Sequence, residues 1–349
     1  MTPTAAEALR ARNRPSVISL VGLFFVFLLA VWLVVNLVRD PADFLNIFLI
    51  GLTRGCVYAL VALGYTLVYG ILQLINFAHG DVFALCGLIA ASIMNTMLGV
   101  TEGTSGILFA AAIGLTLLMV MAFGAGVNTS IERIGYRRLR SAPRLAALIS
   151  AVGMSFIVQN ISLAVYDVNR QTVPDKIPGS NVFEIGGVHL AWDKLFVIAL
   201  TIPVLLALTW MVTSTRHGKA MRATSQDFDA SAMMGINVNR TISFTFALAG
   251  ALAGAAGLLF LLYFGQMRFD TGFELGLIAF TAAVLGGIGN LTGAVLGGIL
   301  IGLIQEFNEG LEWFAPGGDW TRSIVFGILI AILVFRPSGL LGEQVPEGQ

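Results

Sequence analysis

The chain has 349 residues, of which 57% are hydrophobic and 11% charged, and a mean hydropathy of +0.86. A soluble surface takes roughly 25% charged residues, so composition alone excludes a water-soluble globule and places the chain among membrane proteins. A formal net charge of +0 argues against a nucleic-acid partner, and the two cysteines, Cys56 and Cys86, sit in apolar runs as small buried hydrophobes, with no spacing that calls for a disulfide, metal or cofactor.

Arg10, Arg12 and Arg14 precede an apolar run from Val17 to Val38. As a helix that run is about 33 Å long, enough to cross a bilayer. It is too long for a signal-peptide core, and no small-x-small cleavage site follows, so it is expected to persist as a first span. Further apolar segments fall at 44–70, 80–98, 107–127, 145–166, 194–214, 241–264, 275–288, 291–308 and 321–335. Together they predict an all-α, polytopic transmembrane bundle.

Lys and Arg in the loops set its orientation. Arg10, Arg12 and Arg14, then Arg133, Arg137, Arg138, Arg140 and Arg144, then Arg216, Lys219, Arg222 and Arg240, and finally Arg336 fall in alternate loops. The loops between them carry Asp167, Asp175, Glu184 and Asp193, or Glu306, Glu309, Glu312 and Asp319. The two sets alternate without conflict, so both termini are expected on the cytoplasmic side.

Ionisable residues inside the spans are few: Arg54, His79 and Asp81. Each is costly in hydrocarbon and marks a candidate functional position. Asn76, His79, Gly80 and Asp81 concentrate polarity between two strongly apolar runs, where Asn and Gly favour a helix break. A helix starting near Gly80 would point its positive end at an anionic group. This suits a substrate carboxylate or a gate beside it; His79 and Asp81 could equally sit at the end of a span, paired with each other or with water. Arg54 could snorkel outward or pair with Asp43 or Asp81. Gln159 and Asn160 in the fifth span read as interhelical hydrogen-bond partners.

Residues 215–240 form a polar island between two uncharged stretches. Thr224 as N-cap with Asp227 at N3 gives a capping-box spacing, and Gly235 is placed to end the helix in the left-handed conformation. Ala230, Met233 and Met234 make an apolar stripe at helical spacing, with Arg222 just before it, available to a partner carboxylate. A helix this short is marginal alone, so it reads as a docking surface rather than a free element.

The pair 275–288 and 291–308 is interrupted at Gly286-Gly-Ile-Gly-Asn290. It forms either a re-entrant hairpin, giving eight full spans plus the pair, or two full crossings, giving ten. A break at membrane depth needs protein or a water-filled cavity around it, which makes Gly289 and Asn290 candidates for a translocation path. Ile75-Asn76 with Gly80 and Val82 echoes Ile288-Gly289 with Gly293 and Val295 in spacing, as the halves of a repeat would. Gly250/Gly254, Gly293/Gly297 and Gly298/Gly302 are four apart, the spacing of close helix packing.

Several segments carry a family resemblance: Gly51-Leu-Thr-Arg-Gly55, Ala59-Leu-Val-Ala-Leu-Gly-Tyr-Thr-Leu-Val-Tyr-Gly70, Ile75-Asn-Phe-Ala-His-Gly80, Ile131-Glu-Arg-Ile-Gly-Tyr-Arg137, Leu148–Ser155, Gly218–Ala223, Met234–Asn237, Ala279–Gly289 and Arg336–Gly342. Over residues 44–342 the chain resembles the LivH-type permease of branched-chain amino acid ABC importers. The resemblance implies a type II ABC importer fold, a second homologous permease subunit, two cytoplasmic ATPase subunits, a periplasmic substrate-binding protein and a bacterial inner-membrane location. It also implies that the island couples to the ATPases. The chain departs from the pattern at Gln226-Asp227, where the family usually has Glu-Asp, at Ile278, where a Lys is common, and at Asp81, where Glu is frequent. Residues 1–43 add a tail and a span that many members lack, and 343–349 form a short tail. No Gly-x-x-x-x-Gly-Lys-[Ser/Thr] loop is present, so ATP is expected to bind elsewhere. The rival reading is an ion-coupled secondary transporter with His79 and Asp81 as a proton relay, and urea or short amides are alternative cargoes. An intramembrane enzyme is disfavoured, since neither His-Glu-x-x-His nor Gly-x-Ser-x-Gly occurs.

Overall fold

The computed structural model describes residues 17–342 except 102, 141 and 174–180. The expected N-terminal arginines, Asp175 and the 343–349 tail lie outside the described residues. Helix α1 (Val17–Arg39) leads through Asp40 into α2 (Pro41–Leu72), where the Asp40 carboxylate caps the Asp43 amide and proline occupies the first turn. There follow α3 (Ala78–Ser92, extended by a π-helical turn Ile93–Met97), α4 (Gly106–Ile131), α5 (Arg144–Tyr166) and α6 (Trp192–Ser214). Two short helices, α7 (Arg216–Gln226) and α8 (Phe228–Met233), precede α9 (Val238–Phe264), α10 (Thr271–Gly286), α11 (Leu291–Gly310) and α12 (Thr321–Phe335). Eight described helices are long and apolar enough to cross a membrane; Phe27–Arg39 and Thr271–Gly286 are shorter apolar helices.

Burial is distributed as in a protein solvated by lipid. Helices α2, α3 and α9 form the centre, with Leu60, Leu63, Phe83, Leu88, Phe246 and Leu258 fully buried. The outer helices turn large apolar side chains outward: Leu108 and Leu118 on α4, Ile149 and Val165 on α5, Leu206 and Trp210 on α6, Val334 on α12. Hydrocarbon is as apolar as leucine, so dispersion between closely approaching backbones drives packing instead. The glycine pairs supply that approach: Gly298 and Gly302 on α11 lie against Ala59 and Gly55 on α2, Gly250 and Gly254 on α9 against Gly124 and Val120 on α4, and Gly293 and Gly297 on α11 against Gly286 and Ala282 on α10.

The bundle is all-α as expected, with two small antiparallel pairings in its connections. Strand β1 (Gln171–Thr172) joins β4 (Gln266–Met267), and β2 (Asn181–Ile185) joins β3 (Val188–Ala191) through Gly186 and Gly187. Both glycines have positive φ, the requirement of a two-residue hairpin turn. The hairpin is tied to the start of α2, where Asn46 Nδ2 donates to Gly187 O and the His189 amide donates to Asn46 Oδ1. These pairings gather at one end of the bundle, and the island α7–α8 lies at the other.

The α10–α11 pair falls between the two arrangements expected of it. Helix α11 has 20 residues, about 30 Å, a full crossing. Helix α10 has 16, about 24 Å, and starts part-way down: Gly272 and Gly276 pack on Gly80 at the head of α3. The turn reaches the far end of α2, where Gly289 lies beside Gly70, so the pair is no shallow hairpin. The residues after α12 lock the turn, with Leu340 N–H donating to Leu285 O (2.8 Å) and Leu341 N–H to Gly286 O (2.9 Å).

Candidate functional site

The expected break lies between α2 and α3. Gln73 ends α2 in the left-handed conformation and donates its amide to Tyr69 O at 2.7 Å; α3 resumes at Ala78. Three predicted path residues converge just beyond. His79 is fully buried, edge-on to the Tyr65 ring with centroids 4.9 Å apart, and it occupies space that Gly64 leaves open, since a Cβ there would collide with the imidazole. Gly80 brings α3 against α10. Asp81 is buried, its Oδ2 accepting from Ser155 Oγ of α5 while Oδ1 has no hydrogen-bond partner. His79 and Asp81 form no ion pair, because residues two apart on a helix face different neighbours: His79 turns to α2 and Asp81 to α5.

Asn76 is buried inside the break itself. Its Oδ1 accepts from Tyr136 Oη (3.1 Å), its Nδ2 donates to Asn128 Oδ1 (3.1 Å), and Asn128 Nδ2 donates to Phe246 O on α9 (2.8 Å). Gly289 and Asn290 do not join this group. They lie beside Gly70, six residues and about 9 Å along α2 from Gly64. Asn290 caps α11 through the Gly293 amide (3.0 Å) and holds Leu341 O (2.8 Å), so its side chain is committed to structure.

Arg54 pairs with neither Asp43 nor Asp81. Its guanidinium meets Glu306 (2.7 Å) and Glu309 (3.0 Å) on α11 and lies over the Phe264 ring. Beside this cluster a cleft of about 350 Å³ is lined by Glu274, Ile278, Gln305, Glu309, Thr321 and Arg322. A second cleft of similar volume is lined by Arg170, Gln266, Arg268, Asp270 and Thr271 at the head of α10; the hydrogen bond from Arg268 holds the Asp270 carboxyl below the usual carboxylate range. Asn160 of α5 donates to Phe156 O of its own helix and not to a neighbour.

The island contains two helices where one was expected. Thr215, not Thr224, caps the first, accepting from the Gly218 amide at 3.1 Å. Thr224 is fully buried within α7, out of reach of a partner. Asp227 is the N-cap of α8, not its third residue, accepting from the Ala230 amide at 2.9 Å. Thr215 and Thr224 are both N-cap residue types nine positions apart, and only Thr224 has an acid three positions on, which draws a sequence reading to the wrong one. Arg222 donates to the carbonyls of Val212 and Thr213 and so caps the end of α6. Gly235 does end the island helix, at φ 84°, with its amide on Ala232 O and the Ile236 amide on Ser231 O, both 3.0 Å, the paired bonds of a Schellman stop. Met233 and Met234 are 82% and 83% exposed at its tip.

Residues 47–334 match the family model described as branched-chain amino acid transport system / permease component. The chain belongs to that family. The permease is 39% identical over 300 residues to the high-affinity branched-chain amino acid transport system permease protein BraD of Pseudomonas aeruginosa, covering 85% of this chain and 95% of the relative. It is 35% identical, with the same coverage, to the corresponding protein LivH of Escherichia coli. The galactose/methyl galactoside import permease protein MglC of Salmonella typhimurium is 28% identical over 324 residues, 88% of this chain and 91% of that one. The permease is thus a multi-pass membrane component of a transport system.

Sequence reasoning missed two buried acids among the described residues: Glu306, expected in a loop, is buried on α11, and Glu132 is not singled out. Glu132, at the end of α4, is fully buried. It accepts from Arg137 Nε (3.1 Å) and Nη2 (2.8 Å), from Arg140 Nη2, and from Ser243 Oγ of α9 (2.8 Å). In the sequence, Arg137 and Arg140 serve only to mark the orientation of the loop. The signal was an acid at the apolar edge of a basic run, where it has cations within reach.

Proposed function

We propose that this permease is the membrane subunit of an ATP-driven importer for branched-chain or other hydrophobic amino acids. It works by alternating access, with a second permease subunit, two ATPase subunits on the cytoplasmic side and a binding protein delivering substrate from the periplasm. Both termini and the island face the cytoplasm of the inner membrane, as the Lys and Arg distribution requires. ATP is bound by the partners, since the permease carries no phosphate loop.

The observation that carries this reading is the island. Two short helices are fixed by Thr215, Asp227 and Gly235 and by Arg222 on the end of α6, yet they end in two adjacent, nearly fully exposed methionines. A rigid mount with a soft apolar tip suits a protein partner that pushes. Its counterpart inside the bundle is the break between α2 and α3, with Asn76 inside it and His79 and Asp81 buried just beyond. Ionisable side chains buried in an apolar bundle are costly and mark functional positions.

Met234→Asp tests the docking role. ATPase association and substrate uptake are both expected to fall; wild-type uptake from an intact assembly would reject it. Substrate identity is tested by co-purifying the assembled importer and identifying the small molecule retained.

A further inference from the structure

The island and the helix break sit at different depths, and α4 and α9 are joined by polar contacts at successive turns between them. Nearest the break, Asn128 donates to Phe246 O. One turn on, Ser243 Oγ donates to the Glu132 carboxylate. At the island itself, Arg140 Nη1 donates to Asn239 Oδ1 at 2.6 Å, two residues past the Asn237 that caps α9. Between these rungs the backbone of residues 132–136 widens into a π-helical turn, with the Arg137 amide bonded to Glu132 O. Such turns are rare and gather at functional positions. This one swings Tyr136 back so that its hydroxyl meets Ile75 O (3.3 Å) and Asn76 Oδ1 (3.1 Å) inside the break.

We propose that Glu132 and Tyr136 are positioning residues that carry displacement of the island to the break: Glu132, with Arg137 and Arg140, clamps the π-turn to the start of α9, and Tyr136 holds Asn76. A neutral contact would serve packing alone. Here both carboxylate oxygens are bound by charged donors on one side and by α9 on the other, a stiff, directional joint. Side-chain contacts run from Asn239 through Arg140 to Glu132, and the backbone of the π-turn joins Glu132 to Tyr136, which holds Asn76. Movement of α9 therefore moves the break and does not slip past it. The proposal rests on the reading that ATPases act on the island.

The test uses the complete importer in vesicles and reads amino-acid uptake per ATP hydrolysed. Tyr136→Phe removes a single hydroxyl and leaves the ring against Phe246. Assembly and basal ATP hydrolysis should stay unchanged while uptake per ATP falls about five-fold, the worth of one neutral hydrogen bond. Glu132→Gln should lower the ratio further, and the double variant should be no worse than Glu132→Gln alone, because both residues lie on one chain of contacts. If Glu132→Gln does not assemble, Ser243→Ala replaces it in the pair. An unchanged ratio in Tyr136→Phe, or losses that multiply independently in the double variant, overturns the proposal. Met234→Asp runs alongside. If it loses ATPase association while Tyr136→Phe keeps its ratio, the linkage fails and the docking surface stands; if it keeps association and uptake, both fail.

Discussion

Replacing Arg54 with methionine should damage the fold in a way that a second substitution repairs. Arg54 and Glu306 face each other at 2.7 Å, with side chains 15% and 9% exposed. Taking the cation from a buried pair leaves an uncompensated carboxylate, at a cost of about 3–5 kcal/mol. The lower end applies here, because the second partner, Glu309, keeps hydrogen bonds from Gln305 and Thr321. Arg54→Met should therefore cost about 3 kcal/mol, a fall in Tm of about 4 °C for a chain of this length. Removing the stranded charge as well, in Arg54→Met with Glu306→Gln, should bring the loss under about 1 kcal/mol, since a pair replaced together is often nearly neutral. Cys56 and Cys86 are both buried and free, so a thiol-reactive fluorophore reports unfolding of the purified chain directly. Losses that add in the double variant would show that Arg54 and Glu306 do not depend on each other and would refute the reasoning.

Gly64→Ala places a methyl group against the His79 imidazole and should cost about 1–3 kcal/mol of stability through overpacking; in the same thermal assay His79→Ala should relieve most of that loss. Asp227→Ala removes the cap of α8 and should cost that helix about 1 kcal/mol, seen as several-fold weaker binding of purified ATPase subunits with the bundle's Tm unchanged.

What could be read from the sequence was what short-range physics determines. Spans followed from hydropathy, the break at Asn76 from polar and glycine residues between apolar runs, and the end of the island from Gly235, whose positive φ few residues tolerate. What could not be read depends on partners distant along the chain. Arg54 finds its acids some 250 positions away, on α11. Ile278, where the family resemblance leads one to expect Lys, lines the cleft beside Glu309, and the cation that faces Glu309 comes instead from α2. Of the partners of Glu132, Arg137 and Arg140 are near it in the chain, but Ser243 reaches it only once α4 and α9 lie side by side. The start of the island is misleading for a different reason: Thr224 carries the stronger local signal through Asp227, yet Thr215 takes the cap and Thr224 is buried inside α7.

The short segment after α12 acts as a plug for a helix it does not belong to. Leu340 and Leu341 give their amides to the last carbonyls of α10, Asn290 holds Leu341 O in return, and Gly339 and Gly342 fit against Gly287. Anyone shortening this polypeptide before Ser338, or fusing a reporter there, would strip two carbonyls of their donors at the bottom of the α10–α11 turn. A tag carried past Gly342 leaves that seal in place.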